Sequence, residues 1–199
     1  LEIINRMRQE FPDLKIVHLY KKFKEKQPIG NIRKYLVDAV MLRKQKSNIR
    51  KSLSIVSNDA DLEDISPDYA DAIAEHFDAH PESDAILCKW DYPETTYTKF
   101  PLLHATQRAW HYFDRVDSTK TIDGVIENPN LIGRNSAFRS GAYVAIGGYN
   151  PKAQLAEDLE IGWMINNARK GQRSRINYLN GAWLKSNPRR AVVKMLSGT

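Results

Sequence analysis

The stretch Leu53-Ser54-Ile55-Val56-Ser57-Asn58-Asp59-Ala60-Asp61 decides how this chain is read. A short apolar run, Leu53 to Val56, has the length and the β-branched content of a buried strand, and it ends in an Asp-x-Asp. Two carboxylates at the end of such a strand put hard oxygen ligands at the carboxyl edge of a sheet, where open α/β folds bind their ligands. A divalent cation such as Mg²⁺ takes a few carboxylates and completes its shell with phosphate oxygens, so the expected occupant is a metal diphosphate. A second acidic pair, Glu157-Asp158, opens a later helix and makes the first pair specific.

Working outward, strand and helix patterns alternate. Leu1 to Glu10 has helical spacing (Ile3, Ile4, Met7, then Phe11), and Ile16-Val17-His18-Leu19-Tyr20 reads as a short strand. Pro28-Ile29-Gly30 leads into a helix carrying Ile32, Leu36 and Val40. Ser66-Pro67-Asp68 starts another, with Ser as the cap, Pro in the first turn and Asp at the positive end of the dipole. Asp84 to Trp90 is the next strand, with Cys88 as a buried core thiol, and Leu102 to Phe113 is helical with Trp110 on its apolar side. Val116 to Pro129 reads as a loop bordering the site. Leu131 to Phe138 is extended, a short helix breaks at Gly147-Gly148, and a long helix runs from Glu157 to Gly171. Two short strands, Ile176 to Leu179 and Ala182 to Lys185, close the pattern. This alternation predicts an α/β sandwich with a largely parallel sheet.

Size and composition agree with one domain. The chain has 199 residues, 42% hydrophobic and 27% charged, which is ordinary for a globular protein and excludes a disordered one. No apolar stretch approaches a membrane span, and one cysteine provides no disulfide framework and favours a reducing compartment. The net charge of +6 gathers in the first quarter (Lys21-Lys22, Arg33-Lys34, Arg43-Lys44, Arg50-Lys51). It reads first as a solvated face and second as attraction to anionic headgroups or polyanionic substrates. No nucleic-acid reading module is present.

Four segments stand in a meaningful order. They are Ile29-Gly30-Asn31-Ile32-Arg33, then Asn58-Asp59-Ala60-Asp61, then Gly133-Arg134-Asn135-Ser136-Ala137-Phe138-Arg139 with Gly147-Gly148-Tyr149, then Glu157-Asp158-Leu159-Glu160-Ile161-Gly162. Together with the closing Ser186-Asn187-Pro188-Arg189-Arg190, the set resembles family 2 glycosyltransferases of the GT-A type, from Ile3 to about Arg190. The resemblance implies a single GT-A domain over residues 1–199, a three-layer α/β/α sandwich with a mostly parallel central sheet, and a tail at 191–199. It also implies N-terminal truncation: the strand–helix–strand unit that holds nucleobase and ribose in relatives lies outside these residues.

The chemistry can be stated from the groups themselves. Glycosyl transfer needs a stabilised leaving diphosphate and an acceptor hydroxyl that loses its proton. Mn²⁺ or Mg²⁺ at Asp61, with Asp59 beside it, would neutralise the leaving group, and a carboxylate across the sugar would act as general base. By resemblance, transfer inverts the anomeric centre and Asp158 is that base. Neighbouring helical residues point roughly 100° apart, so only one of Glu157 and Asp158 faces the cleft. Asp158 is assigned there and Glu157 behind it. Arg33 matches a donor-contacting position, Asn135 and Arg139 an acceptor-side segment. Trp110 is the stacking candidate, whereas Trp163 reads as core. His104 and His111 lack the carboxylates a metal site would need.

The expected partners are a UDP- or GDP-sugar donor and a saccharide, lipid-linked or other hydroxyl acceptor, met in the cytoplasm or at the inner face of a membrane. Two alternatives remain: a degenerate carbohydrate-binding domain without turnover, and a nucleotidyltransferase.

Overall fold

The computed structural model describes residues 2–13, 15–118, 120–122, 125–127, 130–131, 135–168 and 175–198, excepting the side chains of 113–118, 120–122 and 125–127. Helices α1 (Glu2–Glu10) and α2 (Ile29–Lys46) come first, followed by strands β1 (Ser54–Asn58) and β2 (Leu62–Ile65). Helix α3 (Tyr69–Ala79), strand β3 (Ala85–Asp91), and helices α4 (Glu94–Lys99) and α5 (Pro101–Ser118) form the middle of the chain. Then come β4 (Lys120–Ile122), β5 (Val125–Glu127), β6 (Asn135–Arg139), α6 (Ser140–Ala145), α7 (Glu157–Asn167), β7 (Ile176–Ser186) and α8 (Arg189–Ser197).

These strands make one mixed sheet in the order β1-β6-β3-β7-β5-β4, with β2 also on β7. The expectation of a largely parallel sheet is corrected: among the described strands, β3–β7 pair in parallel and the other ladders are antiparallel. Part of the cause is one insertion, beside the antiparallel pairing of β2 and β5 on β7. β6 lies between β1 and β3 and runs antiparallel to both, so β1, β3 and β7 share one direction while the strand beside β1 opposes it. Alternation of helix and strand sets the direction of these three strands. It does not say which strand slips between them.

β3 explains why the sheet is covered on both faces. Its residues alternate with period two: Ala85 and Leu87 join Val37 of α2, Tyr143 of α6 and Ile161 and Ile165 of α7. Ile86 and Cys88 point the other way, onto Tyr69, Ile73 and Phe77 of α3. Both sets are buried, so the strand reads as a continuous apolar run. Burial pushes the Cys88 thiol up to about 12, which leaves it a packing group. A third cluster (Trp90, Tyr92, Tyr97, Leu103, Leu184) extends the core beyond the end of β3.

Several elements depart from the sequence reading. Ile16 to Tyr20 forms no strand, and Val17, Leu19 and Tyr20 stay exposed. A strand needs ladder partners for its amides, and no neighbouring strand reaches this segment among the described residues. The residue flanking α3 is Asp68, without a side-chain cap bond; the Ser66 hydroxyl instead accepts from the Trp183 amide at 3.2 Å. The two closing strands are one, β7, with a register shift against β3 between Cys88 and Lys89. The region read as a loop from Val116 holds the end of α5 and the hairpin β4–β5. The predicted helix end at Gly171 lies outside the described residues. The tail is the helix α8, because Ala191, Val192 and Met195 dock on the third cluster. No helix among the described residues is long and apolar enough to cross a membrane.

Two stability measurements check this packing. Phe138 is fully buried, stacked on Tyr143 with ring centroids 5.7 Å apart. Phe138→Ala is expected to cost about 3–5 kcal/mol in chemical denaturation. Burial lowers the His76 pKa from its ordinary 6.5, helped by His80 and Arg139 and opposed by its bond to Asn177 and by Glu82. A His held down in this way gives stability that is whole above the ordinary value and lost as pH falls through the folded-state value. The thermal midpoint should therefore drop more between about pH 7.5 and about pH 5.5 in the parent than in His76→Gln.

Candidate functional site

Arg33 joins the two acidic motifs. It lies one turn into α2, whose start is pressed against the loop at 150–153: the Gly30 amide donates to Ala153 O at 3.1 Å. A Cβ on Gly30 would sit 2.1 Å from Asn150 O, so glycine is needed for this approach. The Arg33 side chain then reaches the end of β1. Its Nη1 donates to Ser57 Oγ at 2.6 Å and its Nη2 to Asp59 Oδ1 at 3.0 Å. On the other side its Nε lies 2.6 Å from Glu157 Oε1.

Burial opposes the charge on Arg33, but Tyr149, Glu157 and Asp59 outweigh it and raise its pKa above the ordinary value. The Tyr149 hydroxyl comes within 3.5 Å of Ser57 Oγ, and burial raises its own pKa, against the pull of Ser57 and Arg33. The result is a half-dry cluster of one cation, two carboxylates and two hydroxyls where α2, β1 and α7 meet.

Helix periodicity sorts the second acidic pair. Glu157, Ile161 and Ile165 repeat every four residues on the buried face of α7. Ala156, just before, takes a left-handed φ of 57°, an unfavourable conformation for a residue with a Cβ. Asp158, one position on, is half-buried and lies in the wall of a cavity of about 580 Å³. That cavity opens beyond the end of β3. Trp90, Tyr92, Leu102, Leu103, Trp110 and Met195 give it apolar walls, while Thr106, Gln107 and Lys194 supply its other polar groups. Asp158 is the carboxylate among them.

The first pair divides too. Asp59 is tied to Arg33, whereas the Asp61 carboxylate makes no hydrogen bond or ion pair among the described residues. Its backbone is fixed, since the Asn187 amide donates to Asp61 O at 2.8 Å. No group of three or more His, Cys, Asp or Glu side chains among the described residues is placed to hold a metal ion. The described residues thus form no protein cage for a metal, and a divalent cation at Asp59 and Asp61 would need phosphate oxygens to complete its shell.

The remaining expected residues go elsewhere. Asn135 is fully buried, donating to Lys89 O at 2.6 Å and accepting from the Tyr69 hydroxyl. Arg139 Nε donates to Ser83 O at 2.7 Å, its Nη2 to Phe77 O and His80 O, and its guanidinium rests on the Phe77 ring. Both tie strands and helices together, away from the Asp158 cavity. Trp163, read as core, is exposed, beside Arg139 in a different cavity. Trp110 is exposed at the rim of the Asp158 cavity. His104 stacks on Tyr97 and His111 bonds Gln107.

Sequence reasoning missed Ser57, Tyr149 and Lys194 as members of these two places. Ser57 flanks and Tyr149 closes a quoted motif, so proximity in sequence was a usable signal; Lys194 had none, because it sits on a helix read as a tail. No protein-family profile matches this chain, and no curated protein matches it in sequence.

Removing the shared cation exposes how strongly the cluster is coupled. Arg33→Met leaves Glu157, only 6% exposed, without its counter-charge and should cost about 3–5 kcal/mol. Adding Glu157→Gln should recover at least about 1 kcal/mol of that loss in a double-mutant cycle read by denaturant unfolding.

Proposed function

We propose that this chain is the catalytic part of a metal-dependent, inverting glycosyltransferase of family 2 and GT-A type, moving a sugar from a nucleotide-sugar to an acceptor hydroxyl. The observation that carries the reading is the convergence of Asp59 and Glu157, far apart in sequence, on one guanidinium, with Asp61 two residues from the first and Asp158, beside the second, in the wall of a cavity. Helices on both faces of the sheet support the GT-A assignment. So does the placement of Asp59 and Asp61 past the end of β1, at the edge where β3 and β7 also end.

In this reading Asp61, with Asp59, holds the donor diphosphate through Mn²⁺ or Mg²⁺, which stabilises the leaving charge when bound. Arg33 keeps Asp59 in place and supplies positive charge beside the diphosphate. Asp158 accepts the proton of the acceptor hydroxyl as its oxygen bonds to the anomeric carbon, and the bond to the diphosphate breaks with its electron pair leaving on the phosphate oxygen. Attack opposite the leaving group inverts the centre through an oxocarbenium-like transition state. The single buried thiol and the basic first quarter suit the cytoplasm or the inner face of a membrane.

The test is thermal stabilisation by UDP, GDP and dTDP, each with and without Mn²⁺, because a ligand of the folded state raises the midpoint by mass action. A metal-dependent shift with one nucleotide, lost in Asp61→Asn, is expected. Asp158→Asn should keep that shift and lose transfer by at least about a hundredfold, the ordinary contribution of a general base. Binding of saccharides with no metal-dependent nucleotide shift would instead identify a carbohydrate-binding domain.

A further inference from the structure

The cavity that holds Asp158 has a chemistry of its own. A sugar carries a hydroxyl on nearly every ring carbon, and each one buried without a partner costs about 1–3 kcal/mol. A cavity for a free oligosaccharide therefore needs many polar groups with hydrogen bonds to give. Here the Thr106 hydroxyl already donates to Leu102 O at 2.9 Å, and the Gln107 amide is bonded to His111 at 2.8 Å. Of the remaining wall, Leu102, Leu103, Ala191 and Met195 have nothing to offer a hydroxyl, and the rings of Trp90, Tyr92 and Trp110 carry one polar group each.

The charge is just as informative. The Lys194 ammonium, exposed on α8, makes no ion pair or side-chain hydrogen bond among the described residues. Arg190 stands one turn earlier on the same helix, also exposed, so the two cations are neighbours at i and i+4. In the cavity lining, Leu102 (67%) and Trp110 (66%) are largely exposed. Apolar walls, a Trp at the water boundary and an unpaired cation at the rim match an amphiphile.

We propose that this cavity takes an amphiphilic acceptor, a hydroxyl compound with an apolar chain or ring system and an anionic group such as a phosphate, in preference to a free oligosaccharide. The inference rests on the transferase reading for the word acceptor. The apolar body lies against Leu103, Trp110 and Met195, the anionic group meets Lys194, and the hydroxyl is presented to Asp158, which takes its proton.

Binding can be read without turnover, by tryptophan fluorescence and thermal midpoint, using dodecyl phosphate below its micellar concentration. Saturable binding is expected, about fivefold weaker in Lys194→Gln for loss of one charge contact. It should be about tenfold weaker in Trp110→Ala for loss of apolar contact. Both positions are exposed, so neither variant threatens the fold. Inorganic phosphate and cellotriose should bind far more weakly than the alkyl phosphate. The proposal is overturned by absence of saturable binding, by equal affinity in the parent and both variants, or by cellotriose binding the more tightly. A failure here beside an intact Mn²⁺-dependent nucleotide shift sinks the amphiphile and spares the transferase. Variant-sensitive alkyl phosphate binding without any nucleotide shift supports the ligand class and sinks the transferase.

Discussion

A guanidinium held largely out of water between two carboxylates needs both of them close, and Arg33 imposes that requirement on three separate elements. Helix α2 must approach the loop at 150–153 closely enough to deliver the side chain, which is why Gly30 tolerates no Cβ. Helix α7 must begin where Glu157 faces inward, which Ala156 achieves through a left-handed turn. Strand β1 must end where Asp59 comes within 3.0 Å. Ion pairs of this kind add little net stability over an apolar replacement, because desolvation offsets most of the Coulomb gain. Their consequence is positional: they hold Asp59 and Glu157 at Arg33 and so fix the backbone that carries Asp61 and Asp158.

The sheet sets the distance between those two places. Because β6 separates β1 from β3, the acidic end of β1 and the aromatic end of β3 lie two strands apart along the same edge. Asn135, at the start of β6, stitches that edge by bonding the Lys89 carbonyl and the Tyr69 hydroxyl. At the end of β3, Trp90 and, just beyond it, Tyr92 pack with residues of α5 and α8 beside the Asp158 cavity. The two halves of the proposed reaction thus rest on one sheet edge, bridged by the first turn of α7.

Much of this was legible from residues alone, for local reasons. The i, i+4, i+8 stripe of Tyr69, Ile73 and Phe77 forms the buried face of α3. Glu157 and Asp158 diverge because successive helical side chains point in different directions. Less legible were residues whose partners are remote. The resemblance alone sets Asn135 and Arg139 on the acceptor side. Only the packing shows that their hydrogen bonds go to Lys89, Ser83, Phe77 and His80. Ile16 to Tyr20 has the local marks of a strand and no strand neighbour among the described residues.

Local spacing fixed the acidic motifs, the strand and the helix that carry them, and the burial of both faces of β3. Tertiary structure decided the rest: that β6 enters antiparallel between β1 and β3, that α8 folds back as a cavity wall, and that Arg33 claims one carboxylate of each pair. Those outcomes depend on which distant segments meet, and neither periodicity nor propensity encodes a meeting between elements that are far apart in the chain.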